Sequence, residues 1–298
     1  MKIRINKEVK TALECKQPVV ALESTVIAQG LPYPYNLETA LRLEKIVRNA
    51  GSIPATVAVF DGEFSVGLSK TRIEQLATDK SVRKISTRDL PIAVAKKLNC
   101  ATTVATTMFV AHRAGIRVFS TGGIGGVHRG CSADVSSDLP ALAKTPMITV
   151  CSGAKIVLDL PATREWLETN GVTVLGYGCD EMPAFHSRKS GLAVDERVDS
   201  IDEIVEIARA RDDLGLKNTI LVAVPIPKEF ELDSDLLDEI LEKSLRIANK
   251  KGINGKEITP FLLSEMANQS DGKTLAANMA LLENNANIAA KIAYSNPI

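Results

Sequence analysis

One short segment of the sequence, residues 118–160, contains three features that could do chemistry. It holds the glycine-rich run TGGIGG at 121–126, the two aspartates Asp134 and Asp138, and Lys155 shortly after an apolar stretch. Backbone N–H groups of a glycine-rich turn can bind an oxyanion, carboxylates can bind a divalent metal ion, and an uncharged lysine amine is a nucleophile. We therefore expect the functional site to be built around this segment.

The run TGGIGG follows a predicted strand, and its four glycines let backbone N–H groups approach an oxyanion closely. This favours a cradle for a phosphate or a carboxylate, to which His128 and Arg129 could add donors. The alternative interpretation is a tight turn between a strand and a loop. A nucleotide-binding fingerprint fits less well, because the run does not complete G-x-G-x-x-G and the chain has no G-x-x-x-x-G-K-[ST] motif.

Asp134 and Asp138 are separated by four positions, with Ser136 and Ser137 between them. On a helical turn the two acids would share a face, and carboxylates at that spacing suit a hard divalent ion such as Mg²⁺ or Mn²⁺. The alternative is that Asp134 or Ser136 caps the helix predicted at LPALAK. For at least one of the two acids, capping is the favoured interpretation.

Lys155 is the most informative single residue, because it follows Ser152-Gly153-Ala154 at the end of the predicted strand MITVC. We predict that it begins the helix KIVLDLPATREWLETNG, at 155–171. The dipole at a helix N-terminus disfavours a charged amine and would help to keep it uncharged, as a Schiff-base lysine requires. The alternative is a lysine that extends from the helix end into water.

Other ionisable residues are interpreted with less weight. Glu23 in ALEST is either a general acid or base, or an ion-paired residue at the end of a strand. Lys84 in RKISTRDLP could contact a phosphate, but a solvated surface lysine is the favoured interpretation. His112 and His186 are interpreted as structural or surface histidines, since the histidines form neither H-E-x-x-H nor H-x-E…C-x-x-C zinc motifs.

Apolar runs typical of strands alternate with helical patterns, which predicts an α/β fold. We expect a three-layer α/β/α arrangement with a central, largely parallel (mixed) sheet, a helical C-terminal portion, and a single domain over 1–298. Ligands bind at the carboxyl ends of the strands in such sheets, where Glu23, the glycine run, Lys155 and PIPKEF would lie. Thr259-Pro260 is predicted to be the N-cap and first residue of a C-terminal helix.

The charge balance limits the partners that this protein can have. Lysine plus arginine equals aspartate plus glutamate at 36 each, so the sequence gives no electrostatic reason to expect nucleic acid or an anionic membrane as a partner. The five cysteines show no C-x-x-C pair, which is typical of reduced thiols in a cytoplasmic protein. We recognise neither a secretory signal nor a membrane span in the sequence.

The motifs together resemble a known family, the pseudouridine-5′-phosphate glycosidases, also called the indigoidine-synthase-A-like family. The resemblance runs from about Glu14 to the C-terminus. It rests on ALESTVIAQGLPYPYN, ISTRDLP, ATTVATTM, RVFSTGGIGGVHRG, DVSSDL, CSGAKIVLDL, PIPKEF and GKEITPFLL. It implies reversible cleavage of pseudouridine 5′-phosphate to uracil and ribose 5-phosphate, one divalent metal ion per subunit (Mn²⁺ or another), and a homotrimer.

The resemblance also implies roles for individual residues. Glu23 takes the position of the proton donor, Lys155 that of the nucleophile and Asp134 that of the metal ligand. The loop from His128 to Asp134 is shorter than is usual in the family. The positions implied to contact the substrate or line its site are Lys84, Val104, Thr121, His128, Ser136, Ser137, Asp138 and Asn278.

The chemistry of a carbon–carbon glycosidic bond explains why a lysine would accompany the carboxylates, since the leaving carbon has no lone pair to accept a proton. Our hypothesis is that the ribose ring opens and Lys155 forms an iminium at C1′, while Glu23 delivers a proton to the uracil carbon. Two rival functions are a related lyase or glycosidase that acts on another C-nucleoside or a pigment precursor, and a catalytically silent sugar-phosphate-binding protein.

Overall fold

The computed structural model describes residues 2–130, 133–253, 255 and 258–296. The strands are β1 Ile3–Ile5, β2 Val19–Leu22, β3 Ile53–Phe60, β4 Glu63–Val66, β5 Arg83–Ile85, β6 Cys100–Thr102, β7 Val118–Ser120, β8 Val127–His128, β9 Ile148–Cys151, β10 Leu158–Asp159, β11 Thr173–Tyr177, β12 Glu196–Val198 and β13 Ile220–Ala223. The helices are α1 Lys7–Glu14, α2 Tyr35–Asn49, α3 Lys70–Thr78, α4 Leu90–Ala95, α5 Val104–Arg113, α6 Asp138–Leu142, α7 Leu160–Thr169, α8 Ile201–Asp213, α9 Ser234–Lys250, α10 Ile258–Gln269 and α11 Lys273–Ser295.

Among the described residues, the strands form one 11-stranded sheet and a two-stranded ribbon of β8 and β10. The sheet runs in the order β1-β4-β3-β2-β7-β9-β13-β11-β12, with β6 added beside β3 and β5 beside β6. In this sheet β3 pairs antiparallel with β4 and β6, and the other neighbouring strands pair parallel. The predicted α/β fold, with a largely parallel mixed sheet and a helical C-terminal portion, is confirmed.

The central strands are apolar because helices cover the sheet around them. Every residue of β2, β7, β9 and β13 is buried, and most of them are valine, isoleucine, leucine or alanine. Such near-continuous apolar runs are typical of parallel strands with both faces covered. The main core includes Val9 of α1 and Ala293 of α11, so the first and last helices share it. The organisation of 1–298 as a single domain stays a prediction.

Helix α11 connects the C-terminal portion to the centre of the sheet. This 23-residue helix contacts β2, β7, β9 and α2. Small side chains on its buried face let it lie close to the strand ends; these are Ala277, Ala286, Ala289, Ala290 and Ala293. The close approach brings polar residues of α11 to the edge of the sheet where the functional site was predicted.

The prediction that a helix begins at Lys155 is wrong, because the helix begins one turn later. Helix α7 begins at Leu160, where the carboxylate of Asp159 caps it by accepting the N–H of Ala162 at 3.0 Å, and Pro161 lies in its first turn. A capping aspartate before proline is a strong helix start, and it prevails over the apolar pattern before it. Lys155 therefore lies in an irregular segment, and the argument from a helix dipole does not apply to it.

The predicted start of the C-terminal helix is also wrong by a short distance. Helix α10 begins at Ile258, so Thr259 and Pro260 lie inside its first turn, where proline needs no N–H. Lys256 and Glu257, which precede it, lie outside the described residues. Nowhere in the described ranges does a helix combine the length and apolar character that would allow it to cross a membrane.

Gly153 gives a direct test of the packing at the end of β9. Its φ is +80°, and a Cβ there would overlap the carbonyl oxygen of Pro183, whereas Gly191 has a similar φ of +74° with open space around it. We expect Gly191→Ala to lower the free energy of unfolding by about 1 kcal/mol, through backbone strain alone. Gly153→Ala should lower it by about 2 to 4 kcal/mol, because the overlap adds to the strain.

Urea unfolding of the two variants beside the wild type measures both values. Equal losses for Gly153→Ala and Gly191→Ala would show that the close approach to Pro183 is not a constraint on the fold.

Candidate active site

A cavity of about 340 Å³ opens where β2, β7 and β9 end. Parallel strands bring residues that are distant in sequence to one edge of the sheet, so the predicted convergence follows from the topology. The cavity wall contains most of the residues that the sequence singled out. These are Glu23, Lys84, Val104, His128, Asp134, Ser136, Ser137, Asp138, Lys155 and Asn278.

Glu23 directly follows β2 and is only 8% exposed. The hydroxyl of Thr25 donates a hydrogen bond to one carboxylate oxygen, and the hydroxyl of Thr121 donates to the other. These neutral donors fix the orientation of the carboxylate without placing a cation against it. Glu23 is thus arranged to exchange a proton with a ligand in the cavity, as a general acid or base must.

The chain after Glu23 is held by a second set of polar contacts. The hydroxyl of Ser24, which is fully buried, accepts the N–H of Thr102 at 2.8 Å. A single π-helical turn follows at Val26–Gly30, and the side chain of Asn36 donates to the carbonyl of Ile27 at 2.8 Å. Isolated π-turns are frequent at functional sites, and Val26, Gln29 and Gly30 of this one line the cavity.

Lys155 is half-buried and lies against the glycine-rich turn. Its Nζ donates a hydrogen bond to the carbonyl of Gly123 at 2.6 Å, and its backbone N–H donates to the carbonyl of Ile124 at 3.1 Å. The acceptor of the amine is a neutral carbonyl rather than a carboxylate, so this contact positions the amine without an ion pair. Lys155 and Glu23 therefore line one cavity from strands separated only by β7.

The glycine-rich turn is packed too tightly for side chains at its glycines. A Cβ on Gly123 would lie 2.7 Å from the ring of Phe185, and one on Gly125 would overlap the side chain of Ser136. The N–H groups of Ile124 and Gly125 donate to the carbonyl of Gly153 and to the carboxylate of Asp138. These two donors are used inside the protein, so here the tight-turn interpretation fits better than an anion cradle.

Asp138 joins two elements of the site. One carboxylate oxygen accepts the N–H of Ala105 at 3.0 Å, at the start of α5, and the other accepts the N–H of Gly125 at 2.9 Å. Asp138 is the first residue of α6, whereas Asp134 lies outside that helix, so the prediction that the two acids share a helical face is wrong. The prediction that Asp134 or Ser136 caps the helix is also wrong, because the N-cap is Ser137; the hydroxyl of Ser136, one residue earlier, accepts the N–H of Asp138 at 3.3 Å.

Asp134 presents the most open carboxylate of the site. Its side chain is 56% exposed, and His128 Nδ1 lies 3.8 Å from its Oδ2. Within the described part of the chain, no group of three or more His, Cys, Asp or Glu side chains is arranged to hold a metal ion. One open carboxylate still fits an ion such as Mg²⁺ or Mn²⁺ that keeps most of its ligands as water. Cys131 and Ser132, in the loop between His128 and Asp134, lie outside the described residues.

Another part of the cavity wall is built from β5, α5 and α11. Lys84 lies in β5, and Ser86 follows it and hydrogen-bonds through its hydroxyl to that of Ser137. Val104 is the first residue of α5, where backbone N–H groups point out of the helix end. Asn278 reaches the cavity from α11. This wall combines a cation with N–H and hydroxyl donors, a set that suits a phosphate.

Phe185 lines the cavity in an unusual backbone conformation. Its φ is +63°, and its N–H donates to the carbonyl of Ser152 at 3.0 Å. Strained non-glycine residues of this kind cluster at functional sites. Its ring lies 4.5 Å from that of the buried His186, and among the described residues neither ring nitrogen of His186 has a hydrogen-bond partner.

The remaining predicted residues lie elsewhere. Thr121 is 1% exposed and does not line the main cavity itself, but its hydroxyl donates to Glu23, which does. Lys228 of PIPKEF lies in a short 3-10 turn, and His112 lies at the surface. His186 is buried, and neither histidine lines the cavity, in agreement with the interpretation of both as structural or surface histidines. Sequence reasoning missed Thr25, Ser86, Phe185 and Asn285; of these, Thr25 in ALEST and Ser86 in RKISTRDLP stand inside motifs that had been singled out.

Comparison with known proteins identifies the family. The family model described as "Indigoidine synthase A like protein" matches residues 8–295. This chain belongs to that family. Relatives named pseudouridine-5′-phosphate glycosidase are 52% identical in Clostridium botulinum, 50% in Caldanaerobacter subterraneus and 48% in Staphylococcus aureus. Each alignment covers 98% of this chain and 95% or 96% of the relative.

Two solved structures of the same fold are similar over the whole chain. An indigoidine synthase A-like protein from Thermotoga maritima superposes with a TM-score of 0.92, and a prealnumycin C-glycosynthase in complex with ribulose 5-phosphate with 0.91. Each is 37% identical to this chain, and each comparison covers 100% of this chain and 97% of the other. The family membership and the fold therefore agree.

His186 predicts a pH dependence of stability. Burial lowers its pKa to about 3 in the folded protein, whereas an unfolded histidine has its ordinary pKa of about 6.5. Between these two values the unfolded chain binds a proton that the folded protein does not, so stability is lost as the pH falls. His186→Phe removes this titrating group. Between pH 7 and pH 5, the free energy of unfolding should therefore fall by about 2 kcal/mol more in the wild type than in the variant.

Urea unfolding of both proteins at the two pH values gives this difference directly, since the acids common to both cancel. Equal decreases in the free energy of unfolding of the wild type and the variant would show that His186 takes up a proton in the folded state.

Proposed function

We propose that this protein cleaves the carbon–carbon glycosidic bond of pseudouridine 5′-phosphate reversibly, giving uracil and ribose 5-phosphate. The observation that carries the proposal is that a lysine amine and a buried carboxylate, Lys155 and Glu23, line one cavity beside a wall suited to a phosphate. The relatives named pseudouridine-5′-phosphate glycosidase, which are about half identical, support the same reaction.

Lys155 would act as the nucleophile on C1′ of the ribose. Its nitrogen forms a bond to C1′ while the bond from C1′ to the ring oxygen breaks; the nitrogen then gives up a proton, and the ring oxygen takes one up and becomes a hydroxyl. The lone pair of the nitrogen then forms the iminium as the bond from C1′ to the uracil carbon breaks. Water adds to the iminium, releases the aldehyde form of ribose 5-phosphate and returns the free amine.

Glu23 would supply the proton that lets the uracil carbon leave. The electron pair of the breaking bond restores the double bond of the base only after that carbon has been protonated, so an acid must be positioned beside it. The hydroxyls of Thr25 and Thr121 fix the Glu23 carboxylate at the wall, and this arrangement supports the role. In the synthetic direction Glu23 takes the same proton back.

Asp134 would hold a divalent ion such as Mn²⁺, one per subunit, with water as most of its other ligands. When bound, the ion supplies positive charge that orders a phosphate-bearing substrate. Lys84, Val104, Ser136, Ser137 and Asp138 would face the substrate, with His128 and Asn278 lining the site. We also propose that the protein is a homotrimer, as the family resemblance implies.

A related reaction on another C-nucleoside is the second candidate. It is favoured by the likeness to a prealnumycin C-glycosynthase, whose structure holds ribulose 5-phosphate. Both reactions use a sugar phosphate and a bond from the sugar to carbon. A comparison of uracil release from pseudouridine 5′-phosphate with base release from other phosphoribosyl C-glycosides separates the two.

Uracil release is the test of the proposed function. Wild-type protein with Mn²⁺ should release uracil from pseudouridine 5′-phosphate, monitored by ultraviolet absorbance, and a chelator should reduce the rate until Mn²⁺ is restored. Lys155→Ala should lower kcat to the background, because it removes the proposed nucleophile, and Lys84, which also lines the cavity, is assigned to the phosphate. Glu23→Gln should lower kcat by about 10²- to 10⁴-fold, the range of a lost general acid.

Lys217→Ala, a change at an exposed lysine far from the cavity, is the control and should retain full activity. Wild-type protein that binds ribose 5-phosphate but releases no uracil under any metal condition would instead indicate the silent sugar-phosphate-binding protein. Full activity in Lys155→Ala would exclude the lysine mechanism.

A further inference from the structure

Asn285 of α11 is fully buried. Its side-chain amide contacts the two backbone segments that position Lys155 and Glu23. We propose that Asn285 is a positioning residue, which acts through the backbone of two turns to set where the Lys155 amine and the Glu23 carboxylate lie. The inference rests on the proposed function, because it assigns Asn285 to the reaction that those two residues perform.

The first set of contacts fixes the glycine-rich turn. Asn285 Nδ2 donates to the carbonyl of Thr121 at 2.9 Å and to that of Gly122 at 3.3 Å. These are the two peptide units directly before Gly123, whose carbonyl accepts the Lys155 amine. The side chain of Thr121 also donates to Glu23. One amide therefore holds the backbone that carries a partner of each proposed catalytic residue.

The second set of contacts fixes the chain that leads to Lys155. The hydroxyl of Ser152 lies 3.2 Å from Asn285 Oδ1 and 3.1 Å from Nδ2. The N–H of Ser152 donates to the carbonyl of Gly122 at 2.8 Å, and its carbonyl accepts the N–H of Phe185 at 3.0 Å. Asn285 thus binds together the ends of β7 and β9, the strands that lead to Gly123 and to Lys155 respectively.

An apolar side chain at position 285 could pack against the same neighbours but could not satisfy these groups. The carbonyl of Thr121 would lose its buried donor, and an unpaired carbonyl in the core favours a shifted backbone. A shift of about 1 Å in a reacting group can cost about 100-fold in rate without changing the groups that bind the substrate. A positioning role therefore predicts a loss in kcat that exceeds the change in KM.

The experiment compares Asn285→Asp with Ile292→Ala in the full-length protein loaded with Mn²⁺. Asn285→Asp keeps the size of the side chain but replaces the donor amide with an acceptor. Ile292 is equally buried on the same helix and does not border the cavity, so Ile292→Ala controls for loss of stability alone. The measurements are kcat and KM for uracil release, and urea unfolding of each variant.

We expect Asn285→Asp to lower kcat by about 10- to 100-fold with KM changed by less than about threefold. Ile292→Ala should lower stability while kcat stays within about twofold of the wild type. Ser152→Ala, which removes one contact and adds no charge, should lower kcat by a smaller factor in the same direction, and it serves as the test variant if Asn285→Asp does not fold. Values of kcat in Asn285→Asp, or failing that in Ser152→Ala, that match Ile292→Ala would overturn the proposal.

A second readout does not depend on uracil release. Reductive methylation with formaldehyde and cyanoborohydride, followed by peptide mass spectrometry, gives the rate at which each lysine amine reacts. In Asn285→Asp the hydrogen bond from the Lys155 amine to the carbonyl of Gly123 should weaken, so Lys155 should react several-fold faster. Lys84, which Asn285 does not position, should keep its rate. An unchanged Lys155 rate contradicts the positioning role. If the wild type releases no uracil, the proposed function fails, and the comparison of Lys155 with Lys84 still decides the role of Asn285.

Discussion

The close approach of two backbone segments, 121–126 and 151–155, is the constraint on which the rest of the site depends. The segments exchange hydrogen bonds from Ser152 to Gly122, from Ile124 to Gly153 and from Lys155 to Ile124. Other parts of the chain pack onto them closely enough to exclude side chains at Gly123, Gly125 and Gly153, where a Cβ would meet Phe185, Ser136 and Pro183 respectively. A lysine side chain that starts from this surface has little freedom, and its amine is held at the carbonyl of Gly123. Pre-organisation of this kind reduces the entropy that a reacting group must lose.

Carboxylates in this site differ according to their partners. Both oxygens of Asp138 accept backbone N–H groups, so that residue acts mainly as a connector between α5 and the glycine-rich turn. Glu23 is held by hydroxyls, which can reorient, and Asp134 is open to water. Three acids near one cavity are thereby suited to three different tasks: structure, proton transfer and the binding of a hydrated metal ion.

The sequence predicted the elements and residues that depend on local pattern. Apolar runs located β2, β7, β9 and β13, and the strand-end positions of Glu23 and Lys155 followed from them. The start of α7 was misplaced, because the apolar pattern from Lys155 was given more weight than the cap at Asp159. The two-sided role of Asp138 and the contacts of Asn285 could not be predicted, since they join residues as far apart as 164 positions. A lone asparagine in a helix carries no local signal of such contacts.

The covalent role of Lys155 is the central claim of this account. Intact-mass and peptide analysis of the protein after incubation with ribose 5-phosphate and borohydride tests it most directly, since reduction makes an iminium permanent. The account predicts a single stable adduct of one ribose 5-phosphate per chain, located on the peptide that contains Lys155 and missing in Lys155→Ala. An active wild-type protein that forms no adduct, or one that forms it on another lysine, would contradict the account.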